Sequence, residues 1–130
     1  MTPGYRKNIA WQKNQQAIIK TALLISNLSG AVSHKKIAEQ LFASIASVGA
    51  NIAEGYSDYD GSEYPRYLKI SLRSAHETDH WLTTLQSLAN SRNRKVDLKL
   101  LEEISRLNIE TITILIKTID SIKKKRAGKG

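Results

Sequence analysis

His76, Glu77 and His80 stand in the order HExxH, an arrangement with the spacing of a metal site. On a helix, positions i and i+4 share a face, so both imidazoles could meet one zinc ion while Glu77 acted as general base. A catalytic zinc takes a third protein ligand, and the only other histidine, His34, lies upstream. Glu102 or Glu103 could stand in, yet no alternating strand pattern offers an edge to hold a peptide substrate. The chain has no cysteine, which removes disulfides, thiolate metal sites and cysteine nucleophiles. No Gly-rich phosphate loop occurs and no Ser/His/Asp set can be placed. The chain reads as a non-enzyme without cofactor or metal, with a zinc hydrolase as the remote alternative.

A second cluster is Ser47 to Gly55, SVGANIAEG. Ser47, Asn51 and Glu54 recur at spacings of four and three, one polar helical stripe beside an apolar surface of Val48, Ala50, Ile52 and Ala53. Gly55 then closes the run, where a helix C-terminus favours a residue tolerant of positive φ. Folding back across the 56–61 loop sets Ser47 opposite Ser71, Ser44 opposite Ser74, and Asn51 near Tyr67. Small residues there let two helices approach closely, and the Asn51 amide can satisfy buried polar groups. The cluster reads as architectural rather than ligand-binding.

Four helices must position these residues. The first runs from about Ile9 to Leu28, with Trp11, Ile18, Ala22 and Ile25 on one stripe. NLSGAVS is turn-like and Ser33 a plausible N-cap for the second, which carries Ile37, Leu41, Ile45, Val48 and Ile52 inward. Ser62 is the expected N-cap of the third, with Pro65 tolerated in its first turn. Tyr67, Leu68, Ser71, Ala75, Leu82 and Leu85 line that helix to about Asn90. After the turn SRNRK, Asp97 opens the last, which runs to about Lys125. Short connections favour antiparallel neighbours. The expected fold is all-α, an antiparallel up-down-up-down four-helix bundle, one domain over 1–130 with a flexible basic tail from about 123. No apolar run approaches the ~18 residues of a spanning helix, and the first residues lack an apolar h-region. No membrane association is expected, and the location is expected to be cytoplasmic.

Ala50–Gly55 (ANIAEG), Ile9, Trp11, Gln12 and Lys13 near the start, and Glu63, Tyr67, Leu68, Ile70, Ser74 and Glu77 downstream together carry a resemblance. The chain resembles the bacterial four-helix-bundle proteins first met as products of intervening sequences in large-subunit ribosomal RNA genes. That family includes relatives of the accessory variability proteins of diversity-generating retroelements. The match departs from the pattern at Gly49, where Pro is usual, and at Arg73, where Gly is usual. The resemblance makes Trp11, Asn51, Ile52, Ala53, Glu54, Gly55, Ser74 and Glu77 a structural signature. It implies a homopentamer and an accessory role beside a reverse transcriptase. The alternative within the family is an intervening-sequence bundle without that partner.

The last helix is apolar around more than one face. From Ile104, the residues Leu115, Ile119, Ile112, Ile116 and Ile109 sweep round one side and Ile114 lies on the other, an arc of about 220° at 100° per residue. One bundle core needs less, so Ile109, Ile112 and Ile116 are expected to form an oligomer interface.

Twenty Lys and Arg against twelve Asp and Glu give a net charge of +8, and no acidic residue precedes Glu39. The topology gathers Lys35, Lys36, Arg92, Arg94 and Lys95 at one end. Lys123, Lys124, Lys125 and Arg126 join Arg6 and Lys7 at the other, against Glu54, Asp58, Asp60 and Glu63. Such density suits the phosphates of RNA or DNA; the plain alternative is a solvated tail kept for solubility. No interleaved aromatics are apparent, so contact with phosphates rather than bases is expected.

Overall fold

The computed structural model describes residues 3–28, 32–92 and 96–128, the side chains at 32, 33, 91 and 92 excepted. A 3-10 turn, Gly4–Lys7, leads into α1 (Ile9–Ser26), α2 (Val32–Tyr56), α3 (Glu63–Arg92) and α4 (Leu98–Ala127). Helix α1 packs on α2 and α4, and α3 packs on the same two. This is the antiparallel up-down-up-down bundle expected of short connections. Among the described residues no helix is long and apolar enough to cross a membrane.

Local chemistry sets the helix starts. Asn8 Oδ1 accepts the Trp11 N–H at 2.9 Å to begin α1, and Asp97 Oδ1 accepts the Leu100 N–H at 3.0 Å to begin α4. Caps of this kind contribute about 1 kcal/mol each. At α3 the acceptor is Asp58, whose Oδ2 takes the Glu63 N–H at 3.0 Å, rather than the expected Ser62. The loop curls so that Gly61 N–H meets Asp58 O at 2.9 Å, bringing the Asp58 carboxylate under the first turn of α3. The cap expected at Ser33 lies outside the described side chains.

Gly55 does not end α2. The helix continues through Tyr56, and Gly55 has no left-handed backbone to accommodate. Its need is space: a Cβ there would stand 2.7 Å from Tyr67 Cβ. The α2–α3 register is displaced from the expected one by about one turn. Ser47 Oγ meets Ser74 Oγ at 2.9 Å, and Thr78 Oγ1 lies 2.9 Å from Ser44 Oγ. Ser71 donates to Val48 O at 2.7 Å. Asn51 stays on its own helix, donating to Ser47 O at 2.8 Å and Ser47 Oγ at 3.0 Å.

The core divides into two apolar clusters. One surrounds Leu41, Ile45, Leu85, Leu101 and Ile104; the other joins Val48, Ile52, Tyr64, Leu68 and Leu115 near the α2–α3 turn. Asn14, Thr78, Asn108 and Thr111 are buried polar residues at the junction of the two, and Ser44 and Ser71 are buried within the first and second. Asn14 donates to Ile45 O at 3.0 Å and Asn108 to Ala75 O at 2.9 Å, each reaching the backbone of the adjacent helix. The inner face of α1 is therefore Ala10, Asn14, Ala17, Thr21 and Leu24. The expected stripe of Trp11, Ile18 and Ile25 is only half-buried and Ala22 is exposed, because small and internally bonded polar residues fit the centre better than bulky ones.

Candidate nucleic-acid interface

Helix ends and charge meet where α2 turns into α3 and α4 terminates. Lys123–Arg126, expected as a tail, continue α4 as helix to Ala127. Arg126 Nη2 donates to Gly61 O at 2.8 Å, holding the end of α4 against the α2–α3 loop. Lys123, Lys125 and the preceding Lys117 are exposed and, among the described residues, enter no ion pair. Lys124 does, with Asp120 at 3.1 Å.

The middle of the bundle is electrostatically different. Lys13 meets Glu110 at 3.3 Å and Lys20 meets Glu103 at 3.0 Å across the α1–α4 seam, and Arg106 also reaches Glu110 at 2.9 Å. Surface pairs like these add little stability; their consequence is that the cations of the α1–α4 seam are paired, whereas Lys69 and Arg73 on α3 are exposed and, among the described residues, enter no ion pair. At the opposite end Lys35 and Lys36 are exposed on the first turns of α2. Their expected companions Arg94 and Lys95, and the Arg92 side chain, lie outside the described residues.

Tyrosines crowd the α2–α3 turn. The Tyr56 and Tyr59 rings are 4.8 Å apart, Tyr59 and Tyr64 5.0 Å, and Tyr56 and Tyr64 5.7 Å. Tyr64 is buried, and burial first, then neighbouring Tyr59 and Tyr56, push its phenol from 10.0 up to about 12, against a hydrogen bond from Asn8 that lowers it. Tyr59 keeps 52% of its surface exposed. It shares a shallow groove with Asp60, Lys117, Ser121 and Lys125. The expectation that aromatics do not interleave with the basic residues is thus overturned at this end. The signal lay in YSDYDGSEY, but its partner lysines are some sixty residues away in sequence and meet it only through the antiparallel return of α4.

The signature residues mostly hold the frame. Trp11 packs edge-on against Tyr5 at 5.2 Å and borders the second cluster. Ile52 is buried and Ala53 half-buried; Gly55 and Ser74 meet the facing helix, and Asn51 bonds Ser47 on its own. Glu77 accepts the Trp81 indole N–H at 3.1 Å, and Glu54 is exposed. His76 and His80 are both exposed, and the His80 ring contacts Trp81 at 4.6 Å. Among the described residues no three His, Asp or Glu side chains converge on a common point, so HExxH gains no third ligand.

On α4, Ile109 and Ile116 are 52% and 49% exposed. Ile112, Ile114, Ile119 and Ile122 instead pack against the inner cluster. The outward apolar strip is therefore narrower than the arc suggested, since most of it wraps the core.

The model of the 23S rRNA-intervening sequence protein family matches residues 6–111. Among solved structures, the chain is similar to a protein of unknown function from the S23 ribosomal protein family of Bacteroides thetaiotaomicron. That similarity has a TM-score of 0.67 at 24% identity, over 85% of this chain and 98% of the other, and it shows a shared fold. No curated protein matches significantly.

Proposed function

The chain belongs to the 23S rRNA-intervening sequence protein family, and from that premise we propose that it is a non-enzymatic bundle that binds RNA through phosphates at its basic ends. One observation carries this reading: Lys117, Lys123 and Lys125 stand exposed on the last turns of α4 with no ion pair among the described residues, while the cations of the α1–α4 seam are paired with acids. Lys117 and Lys125 lie about 80° apart around α4 and Lys123 on its other side, and cations held on such a fixed frame displace counterions from a polyanion. The family's link to ribosomal intervening sequences makes RNA the first polyanion to test. The exposed pair Ile109 and Ile116 supports self-association, which would repeat the basic ends around an assembly. An accessory role beside a reverse transcriptase is the extension carried by the resemblance. The test is equilibrium binding of a labelled RNA at increasing salt. The reading expects affinity to fall linearly on log–log axes, with about −0.7 to −0.9 in slope for each phosphate engaged, and to vary little with sequence. Absence of binding at low salt would overturn it.

A further inference from the structure

The groove between the α2–α3 loop and the end of α4 holds more than charge. Tyr59 is half exposed although two neighbouring tyrosines fix its ring, at 4.8 Å and 41° to Tyr56 and at 5.0 Å and 42° to Tyr64. A ring already immobilised loses little entropy when a flat partner lies on its open side. Lys117 and Lys125 border the same groove eight residues apart on α4, roughly 12 Å along the helix at ~1.5 Å per residue. That separation exceeds the distance between consecutive phosphates of a strand and suits two phosphates with one more between them. Asp60 sits beside Tyr59 in the groove; its charge repels phosphate, so what lies next to it is a base or sugar, whose amino and hydroxyl groups it can accept from. Arg126 is a positioning residue here, tying α4 to Gly61 O.

We infer that this groove binds a single strand, with one unpaired base stacked on Tyr59 and two phosphates on either side of a dinucleotide step on Lys117 and Lys125. The inference rests on the phosphate-binding reading above and adds a preference that phosphate contact alone does not give. A duplex hides its base faces, whereas a single strand can offer one to the exposed ring.

The experiment compares a labelled single-stranded RNA with a duplex of the same sequence, using the full chain and Tyr59→Ala, Tyr59→Leu and Tyr59→Phe variants. Tyr59→Leu keeps apolar contact with Tyr56 and Tyr64 but has no π-face. Alanine and leucine should weaken single-strand binding on the order of 10-fold, as expected for removal of one stacked base. Duplex affinity and the salt slope should stay as in the wild type, and Tyr59→Phe should bind normally. Salt-dependent binding equal in wild type, Tyr59→Ala and Tyr59→Leu would overturn the stacking site and leave the phosphate reading standing. Failure of both RNAs to bind the wild type at low salt would instead overturn the phosphate reading, and the stacking site with it.

Discussion

Gly55 on α2 faces Tyr67 on α3 with no room for a methyl group: a Cβ would lie 2.7 Å from Tyr67 Cβ and 3.4 Å from the backbone oxygen of Tyr64. Neither atom is the free end of a flexible side chain, so the helices themselves would have to part. Gly55→Ala should therefore lower stability by about 1–3 kcal/mol through overpacking, despite alanine's better helix propensity. Chemical denaturation measures this directly. A midpoint equal to or above the wild type would show that the α2–α3 contact yields more easily than its geometry implies.

Alkaline pH should act through Tyr64. Its folded-state pKa, raised from 10.0 to about 12, means that the folded chain holds this proton more tightly than the unfolded one. The resulting stability is complete below pH 10 and drains as pH rises toward 12. Tyr64→Phe removes the titrating hydroxyl and should show a shallower decline across that window. Identical pH profiles for the two proteins would contradict the assignment of the shift to this residue.

Self-association through α4 predicts different fates for neighbouring isoleucines. Ile109→Glu with Ile116→Glu alters exposed positions and should yield a smaller species by light scattering with helicity intact. Ile112→Glu places charge against the inner cluster and should unfold the chain instead. An unchanged mass for the well-folded double variant would rule out the interface.

The histidines of HExxH should prove dispensable. His76→Ala with His80→Ala changes two exposed side chains, and such surface changes usually stay within about 0.5 kcal/mol. Purified protein should lack stoichiometric zinc by elemental analysis. About one zinc per chain, absent from the double variant, would restore the metal reading.

Much of the fold was legible because each helix announces itself locally. Asp97 was readable as an N-cap, and Leu41, Ile45, Val48 and Ile52 as an inward stripe. What misled was the assumption that the inner face is the most hydrophobic one. Asn14 and Thr21 are inside α1 because Ile45 O and Ala17 O receive their hydrogen bonds, a partner set that no periodicity reveals. Gly55 invited a capping role because glycine favours helix ends; only the neighbouring helix shows that it is there for clearance. The candidate site was half visible. Lys123–Lys125 stood out as a run, but Lys117 did not, and the ring beside Lys117 and Lys125 belongs to the α2–α3 turn, brought there by chain topology rather than spacing.

The central claim is that RNA is held by phosphate contacts at the unpaired lysines of α4. The most direct measurement is the salt dependence of RNA binding by wild type and by the Lys117→Ala, Lys123→Ala, Lys125→Ala triple variant. The account predicts weaker binding by the variant and a log–log slope shallower by about 0.7–0.9 for each phosphate that the missing lysines no longer neutralise. Tight binding that is insensitive to salt, or a triple variant with the wild-type slope, would contradict it.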